Sequence, residues 1–434
     1  MAGMDMKNKI KDLLFSVSGI VLMNVVLQFL LYPSIERKLG AEAYGVALTL
    51  LAVISITSNS VGSAANYSRL VSEKTLHPKN GEYTLFLLTG GLVSVAVGLI
   101  VLWKVGLFTA ANAIFYALLT FVSAFRYYSD AEFKLKGNTL RYFAFYFFIS
   151  LGYVLGLAVA KWTGNWMTGI LTGEVFAVLY AMIRSGIYKK PFVCSPKAKA
   201  VWKSNALLLC SNLFDNLTLN ADRIVLLAFL GGEAVSTYYV ASLFGKVVAL
   251  LTVPVNALLI GYLVRSDAAL TKKLWTIFTA VATGIGLLAF GGCLLGSWII
   301  LPVLYKNLSA AALKIAVPAV GSQILFFVSG VLLIVVLRYA GEKKQFLLNL
   351  VYGVAFFLLT VLGTWKGGLS GFLWASVGAN ALRYLLVVIW GFFAGRPAKS
   401  GTKAVDGAVI PDGAPTETLG GEPAQTPGGE PAEN

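Results

Sequence analysis

Seven ionisable side chains interrupt the long apolar stretches of this 434-residue chain, and any chemistry is expected there first. If those stretches cross a membrane, a charge at the centre of a helix costs about 2.5–3.5 kcal/mol, so it should face a cavity or an opposite charge. Lys314 is the exception, because it lies near the end of its stretch and its side chain can reach the interface. The seven residues are Glu174, Asp215, Asp222, Arg223, Lys246, Lys314 and Arg383.

The seventh apolar stretch carries the densest polar pattern. On helical geometry its polar residues occupy roughly half of the surface, since successive side chains point about 100° apart. The pattern predicts either a water-filled cavity that binds a ligand, which the included charges favour, or hydrogen bonds between helices. A structural role is as compatible with the pattern as a ligand-binding role for the Asp222-Arg223 pair, and the same holds for Glu174. The polar residues are Asn205, Ser211, Asn212, Asp215, Asn216, Asn220, Asp222 and Arg223.

Several kinds of chemistry have no matching pattern in the sequence. There is no GxxxxGK[ST] loop for nucleotide hydrolysis and no GxSxG or HExxH motif. His77 is the only histidine, and none of the three cysteines lies in a CxxC pair, so no zinc site or disulfide framework is predicted. We expect a protein that is not an enzyme and has no cofactor, with H⁺ or Na⁺ as the candidates for a coupling ion.

The elements that must position these residues are membrane spans. The chain is 57% hydrophobic and 13% charged, with a mean hydropathy of +0.76, whereas soluble domains carry about 25% charged residues. A helix crosses the hydrocarbon core with about 20 apolar residues. The sequence predicts an all-α polytopic protein with about twelve spans near 13–35, 42–65, 83–103, 107–125, 142–160, 166–183, 204–230, 235–264, 274–298, 311–337, 346–364 and 368–393.

The loop charges predict the orientation. With both termini in the cytoplasm, the cytoplasmic segments hold 25 of the Lys and Arg residues and the external loops hold six. Cytoplasmic loops are the ones that carry excess Lys and Arg. Basic residues confined to short loops between spans argue against a nucleic-acid surface. Lys7, Lys9 and Lys11 precede a long apolar run without a small-residue cleavage site, which predicts an uncleaved first span.

The chain divides into four parts by composition. We expect an N-terminal six-helix lobe at 1–183, a basic cytoplasmic linker at 184–203, a C-terminal six-helix lobe at 204–394 and a tail at 395–434. Residues 1–400 have a net charge of +20, whereas residues 401–434 have a net charge of −5 and are rich in Gly, Pro and Glu. Such a tail cannot bury a core, so it is predicted to be disordered.

A short repeat relates the two lobes. Residues 39–43 read Leu-Gly-Ala-Glu-Ala, and residues 230–234 read Leu-Gly-Gly-Glu-Ala, 191 positions later. Both copies join the first and second spans of a six-span half, so both lie on the same side of the membrane. The two lobes are therefore predicted to be parallel repeats, and in transporters the substrate site commonly lies at the repeat interface.

Two stretches around these repeats carry a family motif. They contain Tyr32-Pro33, Arg37-Lys38-Leu39-Gly40 and Tyr44-Gly45 in the first half, and Asn220, Asp222-Arg223, Leu230-Gly231 and Tyr238 in the second. They resemble the oligosaccharide and polysaccharide flippases (O-antigen translocase-like) of the multidrug/oligosaccharidyl-lipid/polysaccharide exporter superfamily. The architectural similarity covers about residues 8–394, but the motifs match only there. The lipid II flippase branch has fourteen spans, more than this chain.

The resemblance implies a flippase that moves undecaprenyl-diphosphate-linked oligosaccharide to the outer leaflet by alternating access. It would lie in the bacterial cytoplasmic (inner) membrane, with the lipid-linked glycan, the bilayer and other polysaccharide-assembly membrane proteins as partners. The diphosphate requires cations, for which Arg223, Lys246 and Arg383 are the candidates. Candidates for sugar binding are Asn212, Asn216 and Gln323, and candidates for ion coupling are Asp215, Asp222 and Glu174.

Three other functions remain open from the sequence. A cation-coupled multidrug antiporter of the same superfamily would need acidic residues deep in the bilayer, and the first five spans show none. A non-transporting scaffold for glycan assembly would tolerate neutral residues at Lys246 and Arg383. A membrane-embedded glycosyltransferase would normally have large external loops, whereas these loops are short.

Overall fold

The computed structural model describes residues 15, 17–250, 252, 255–256, 259, 270–340 and 342–394. The predicted tail and the lysines at positions 7, 9 and 11 lie outside the described residues. The first six spans are α1 (Val17–Leu39), α2 (Ala41–Ile54, a π-helical turn at Ser55–Asn59, and Ser60–Leu76), α3 (Asn80–Lys104), α4 (Ala110–Tyr128), α5 (Thr139–Thr163) and α6 (Met167–Arg184).

The second six spans follow a segment at 185–197 that contains no helix. They are α7 (Ala198–Leu230), α8 (Gly232–Ala241 and Leu243–Leu250), α9 (Lys272–Leu304), α10 (Ser309–Ala340), α11 (342–366) and α12 (369–394). The last two form one helix, Glu342–Ala394, that is interrupted at Gly367 and Gly368. Side-chain oxygens cap three of the helices, since Thr109, Asn138 and Thr271 each accept a bond from the backbone N–H three residues later.

The helices confirm the predicted all-α polytopic fold. Within the described ranges, nine helices are long and apolar enough to cross a membrane, and one of them, Leu347–Phe393, contains both α11 and α12. The remaining two spans are α7, which carries the polar pattern, and α8, whose second half lies largely outside the described residues. Large apolar side chains such as Leu92 and Leu288 point outward and are more than 60% exposed, as expected for lipid-facing surfaces.

The two copies of the repeat have the same backbone conformation. Gly40 ends α1 and begins α2 with φ 78° and ψ 171°, and Gly231 ends α7 and begins α8 with φ 85° and ψ −179°. This left-handed φ is a conformation that glycine adopts without steric cost. The two-lobe repeat therefore extends from the sequence to the backbone. We refer to the side of these two turns, external in the predicted orientation, as the external side.

The buried cores show where the lobes are joined. One core contains residues of both lobes, and its C-terminal-lobe members, such as Val235, Tyr238 and Leu301, lie at the external ends of their helices. A separate core around Tyr83 belongs to the N-terminal lobe together with the start of α7, and another around Trp275 belongs to the C-terminal lobe. The lobes thus share one apolar core externally and form separate cores toward the cytoplasmic side.

Two of the cations predicted in cytoplasmic segments are largely buried within the helices of the N-terminal lobe. The predicted second span ends near 65, whereas α2 continues to Leu76 and includes Arg69, whose guanidinium donates to Tyr128 Oη at 2.5 Å and Asn80 Oδ1 at 2.8 Å. Arg126 lies in α4 and is buried. Both arginines are accommodated because polar or acidic side chains within the lobe surround them.

Candidate functional site

A buried ion pair lies where α7 meets α8. Lys246 Nζ is 2.9 Å from Asp222 Oδ2, and the side chains are 19% and 6% exposed, respectively. The other carboxylate oxygen of Asp222 accepts the backbone N–H of Arg223 at 2.8 Å. The Gly231 turn folds α8 back along α7, which brings together two residues that are 24 positions apart. Both partners were predicted as site residues, but their pairing was not.

Aromatic rings surround this pair. The Arg223 guanidinium lies 5.2 Å from the centre of the Tyr239 ring, and Lys246 Nζ lies 5.0 Å from the same ring and 5.3 Å from Tyr238. Gln323 Nε2 of α10 donates to Tyr238 Oη at 3.3 Å. Cations over aromatic faces are stabilised by the ring quadrupole. We call Asp222, Arg223, Lys246, Tyr238 and Tyr239 the interface cluster.

The interface cluster borders the N-terminal lobe and carries a net positive charge. Tyr32 of α1 packs edge-on against Tyr239 with the ring centres 5.8 Å apart. The two cations and one carboxylate leave an excess of one positive charge. Asp215 lies seven residues, or about 10 Å, before Asp222 on the same helix. This combination of excess positive charge and aromatic surface suits an anionic group that carries a planar or ring-shaped neighbour.

Arg383 belongs to a second cluster within the C-terminal lobe. Its guanidinium lies 4.4 Å from the Phe326 ring and 4.8 Å from the Tyr352 ring. Tyr352 Oη donates to Asn380 Oδ1 at 3.0 Å, and Asn380 Nδ2 donates to Ser322 Oγ at 2.8 Å. Arg383 is 7% exposed. The structure therefore does not bring Arg383 into the interface cluster, although Gln323 follows Ser322 directly in α10.

The polar face of α7 packs against α2. Asn216 Nδ2 donates to Ser60 Oγ at 3.0 Å, and Ser60 Oγ donates to the Asn212 carbonyl at 3.1 Å. Asn220 Nδ2 donates to Ser55 Oγ at 3.3 Å, in the π-helical turn. These contacts are hydrogen bonds between helices, which is the second of the two alternatives for this polar pattern, and the cavity stays a prediction. We call this row of contacts the polar seam.

Glu174 lies inside the N-terminal lobe and has partners there. Its Oε2 is 3.7 Å from Arg126 Nε, and its Oε1 accepts a hydrogen bond from Tyr153 Oη at 2.8 Å. Arg126 also lies over the Tyr127 ring at 4.3 Å. No sequence pattern indicates this pair, because Arg126 falls one residue beyond the predicted end of its span. The structure does not bring Glu174 to the interface cluster.

Two further acidic residues are buried in the N-terminal lobe, near the ends of its spans. Glu36 is fully buried near the external end of α1 and accepts from Asn307 at 3.4 Å. Asp130 follows α4, is buried, and pairs with Lys134 at 3.0 Å. Both residues lie near helix ends, where the sequence pattern predicts loops. The first five spans therefore carry buried acids at their ends only, within the described residues.

A contact between the two repeat copies closes the external side. The Glu42 carboxylate accepts the backbone N–H groups of Gly232 at 2.9 Å and Glu233 at 2.7 Å, and so caps the N-terminus of α8 from the other lobe. Gly45 approaches the Gly232 backbone so closely that a Cβ at either glycine would overlap the other lobe. We call this contact the external seal. The sequence showed the repeat but not that its copies touch.

Further contacts between the lobes surround the external seal. Arg37 of α1 donates to the carbonyls of Val303 and Leu304 at 3.2 and 3.3 Å. Tyr305 Oη donates to the Gln28 carbonyl at 3.3 Å. These residues belong to the external ends of α1 and α9, which puts the interface cluster below a closed external surface.

The interface cluster contains one carboxylate, which could bind a monovalent cation. It contains few other groups that could ligate a metal ion. Among the described residues, no group of three or more His, Cys, Asp or Glu side chains could hold a metal ion. Asp222 and Glu174 each already contact a cationic side chain. A coupling H⁺ or Na⁺ at either carboxylate would therefore have to displace that contact.

Comparison with known proteins gives a result only at the level of structure. No protein-family model matches the sequence, and no curated protein matches it either. An inward-facing multidrug resistance MATE family transporter of the MOP superfamily is similar with a TM-score of 0.62 and 13% identity, over 86% of this chain and 97% of that chain.

Two other structures show the same similarity. The lipid II flippase MurJ in an inward closed conformation has a TM-score of 0.61 and 12% identity, over 88% of this chain and 87% of that chain. The Vibrio cholerae MATE transporter VcmN in its bent form has a TM-score of 0.57 and 12% identity, over 88% and 96% of the two chains. This multi-pass membrane protein therefore has the fold shared by MATE transporters and the lipid II flippase MurJ.

Proposed function

We propose that this chain is a flippase that moves undecaprenyl-diphosphate-linked oligosaccharide from the cytoplasmic to the outer leaflet for the assembly of a surface polysaccharide. The observation that carries the proposal is the interface cluster, in which two cations and one carboxylate lie between the lobes below a closed external surface. A drug cation would be repelled by this excess positive charge, whereas a diphosphate would be attracted. The similarity to MurJ, whose name gives its substrate as lipid II, supports a lipid-linked glycan.

The pairing of Lys246 with Asp222 supports an exchange mechanism. Lys246 would leave Asp222 and bind the diphosphate as a point charge, while Arg223 would bind it through two parallel N–H bonds. Asp222 would then lose its cation and take up H⁺ or Na⁺. This exchange would make the ion bound at Asp222 depend on whether the substrate is bound, with Asp215 and Glu174 as further candidates for ion coupling.

The sugar would contact neutral polar groups beside the cluster. Gln323 already donates a hydrogen bond to Tyr238, so its side chain lies beside the cluster and can bond a sugar hydroxyl there. Asn212 and Asn216 lie in the polar seam, so they could bind sugar only when α2 and α7 separate. Arg383 lies within the C-terminal lobe and would serve a later position of the headgroup.

Alternating access follows from the distribution of contacts between the lobes. The external seal and the shared core close one side, and the separate cores leave the other side able to open. Release outside would require Glu42 to leave the N-terminus of α8. We place the protein in the bacterial cytoplasmic membrane, with the lipid-linked glycan, the bilayer and other polysaccharide-assembly membrane proteins as partners.

A cation-coupled multidrug antiporter is the second candidate. It is favoured by the buried acids Glu36, Asp130 and Glu174 and by the similarity to a multidrug resistance transporter. It predicts that loss of the protein changes sensitivity to cationic compounds and leaves surface glycan intact.

Deletion of the gene in its own organism distinguishes these candidates. A flippase predicts loss of a surface polysaccharide together with accumulation of its lipid-linked precursor on the cytoplasmic side, and rescue by the wild-type gene. Unchanged glycan without accumulation would contradict the flippase. A non-transporting scaffold would be indicated if variants with neutral residues at Lys246 and Arg383 restored glycan export fully.

A further inference from the structure

The segment between the lobes carries the densest group of exposed cations among the described residues. It runs from the end of α6, a helix long and apolar enough to cross a membrane, to the start of α7, the next predicted span, which puts it at the membrane surface. We call it the linker platform. Its exposed cations are Arg184, Lys189, Lys190, Lys197, Lys199 and Lys203.

Buried groups of the N-terminal lobe hold the backbone of the linker platform. Asn80 Nδ2 donates to the carbonyls of Gly186 and Lys189 at 2.9 and 2.6 Å. The fully buried Glu82 accepts the backbone N–H of Ser195 at 2.7 Å. Glu132 accepts the backbone N–H of Gly186. The backbone of the platform is therefore fixed to the N-terminal lobe, which keeps the positions that carry its cations close together.

Apolar side chains lie exposed beside these cations. Lys190 has a left-handed φ of 50°, and its carbonyl accepts the Val193 N–H at 3.2 Å, which closes a turn that presents Phe192. Phe192 is 68% exposed, and Ile183 is 76% exposed at the end of α6. Basic and aromatic side chains together are typical of the headgroup level of a membrane. A purely aqueous loop would not be expected to present them.

We propose that the linker platform binds the headgroups of anionic phospholipids in the leaflet that it faces. Clusters of four to eight Lys and Arg residues next to a membrane span attract anionic lipids at close range. Because the platform is fixed, the phosphates would meet several cations at once, with Phe192 and Ile183 among the upper acyl chains. Binding would anchor the N-terminal lobe, leaving the C-terminal lobe as the one that moves.

The acidic tail of the same chain is the competing occupant. Residues 401–434 hold six acidic residues, whose negative charge is complementary to the positive charge of the platform. The tail contains no aromatic residue, and it offers few groups to cover Phe192 and Ile183. A phospholipid can neutralise the cations with its phosphate and cover the apolar side chains with its acyl chains, which is why we favour phospholipid as the occupant.

Electron paramagnetic resonance of spin-labelled lipids tests the proposal. The full chain is reconstituted in phosphatidylcholine vesicles, and the motionally restricted fraction is compared for spin-labelled phosphatidylglycerol and phosphatidylcholine. The test variant replaces four platform lysines that form no hydrogen bond through their side chains in the structure: K189Q, K190Q, K199Q and K203Q. The matched control replaces four exposed lysines that lie apart from one another on the external side, at helix ends or next to them: K104Q, K161Q, K306Q and K366Q.

The wild-type chain should prefer phosphatidylglycerol by about threefold or more at low salt, and the preference should fall toward one at about 1 M salt. The platform variant should lose at least half of that preference, while the control, with the same change in net charge, should keep most of it. Equal losses in both variants would overturn the proposal. A preference that appears only after deletion of 401–434 would also overturn it, because the tail would then occupy the platform.

Discussion

Two buried ion pairs, one in each lobe, have nearly the same chemistry and opposite surroundings. Arg126 and Glu174 lie inside the N-terminal lobe with N–O separation 3.7 Å, and both are almost fully buried. Lys246 and Asp222 lie 2.9 Å apart beside the other lobe, and Lys246 keeps 19% of its side-chain surface exposed. The difference shows that burial of a charge in a membrane protein does not by itself indicate a site.

The surroundings explain why only one pair suits a ligand. Arg126 has Glu174, the Tyr127 ring and the Met23 sulfur as neighbours, all within the same lobe. Lys246 has Arg223 and two tyrosines around it, and one of these tyrosines, Tyr239, packs against Tyr32 of the other lobe. A pair enclosed in one lobe stabilises that lobe, whereas a pair at the edge of a lobe, beside the other lobe, can exchange partners.

The largest difference between the pairs should appear when Lys246 is replaced by Met. Loss of a desolvated phosphate contact costs about 2–5 kcal/mol, so glycolipid translocation should fall on the order of 100-fold. The measurement is the initial translocation rate in proteoliposomes. The matched control is K314M, a lysine on the exposed end of α10, which should leave the rate unchanged. Equal rates for wild type and K246M would remove the functional distinction between the pairs.

The N-terminal pair should respond through stability. Replacing Arg126 by Met leaves Glu174 buried without its cation, which should lower the free energy of unfolding by roughly 3–5 kcal/mol. The thermal midpoint of the purified protein in detergent measures the loss. The double variant R126M/E174Q should recover much of it, because no uncompensated charge remains. If R126M kept the wild-type midpoint but lost transport, the pair would be a site after all.

The external seal tests whether the lobe interface moves. Replacing Gly45 by Ala places a Cβ against the Gly232 carbonyl, so the closed external side should become less populated. Spin labels at the exposed positions 104 and 306, one in each lobe, should then report longer distances. The control is G284A, where a Cβ would meet no atom within 4 Å. An unchanged distance distribution in G45A would mean that closure does not depend on this contact.

The smallest effect is expected in the polar seam. Replacing Asn216 by Ala removes its hydrogen bond to Ser60 of the other lobe. The free energy of unfolding should fall by about 0.6–1.7 kcal/mol. The control is T218A, because the Thr218 hydroxyl bonds the Phe214 carbonyl of its own helix. Thermal midpoints should fall slightly more for N216A. A large loss of transport with an unchanged midpoint would assign Asn216 to the substrate instead.

The sequence predicted the fold well because hydrophobic length and the Leu-Gly-x-Glu-Ala repeat are local signals. It also identified Asp222, Arg223, Lys246 and Gln323, which the structure brings near one another through the fold-back of α8 and the packing of α10. It could not predict which charges pair, since pairing depends on how helices pack. Whether these residues bind the substrate stays a prediction.

The limits of the sequence have physical reasons as well. Arg126 looked like a loop cation because it follows an apolar run, yet it turns into the lobe toward Glu174. The polar face of α7 was compatible with a cavity or with hydrogen bonds between helices, and it meets a serine-rich π-helical turn in α2 that supplies hydrogen-bond partners. No periodicity within one helix can show what the neighbouring helix offers.

Translocation of a fluorescent undecaprenyl-diphosphate oligosaccharide in proteoliposomes tests the central claim most directly. A membrane-impermeant quencher added outside reports the rate at which inner-leaflet lipid reaches the outer leaflet. The account predicts rapid loss of the protected fluorescence with the wild-type chain and a rate near that of empty liposomes with K246M. No acceleration by a folded wild-type chain, together with export of a cationic dye against an ion gradient, would contradict the account.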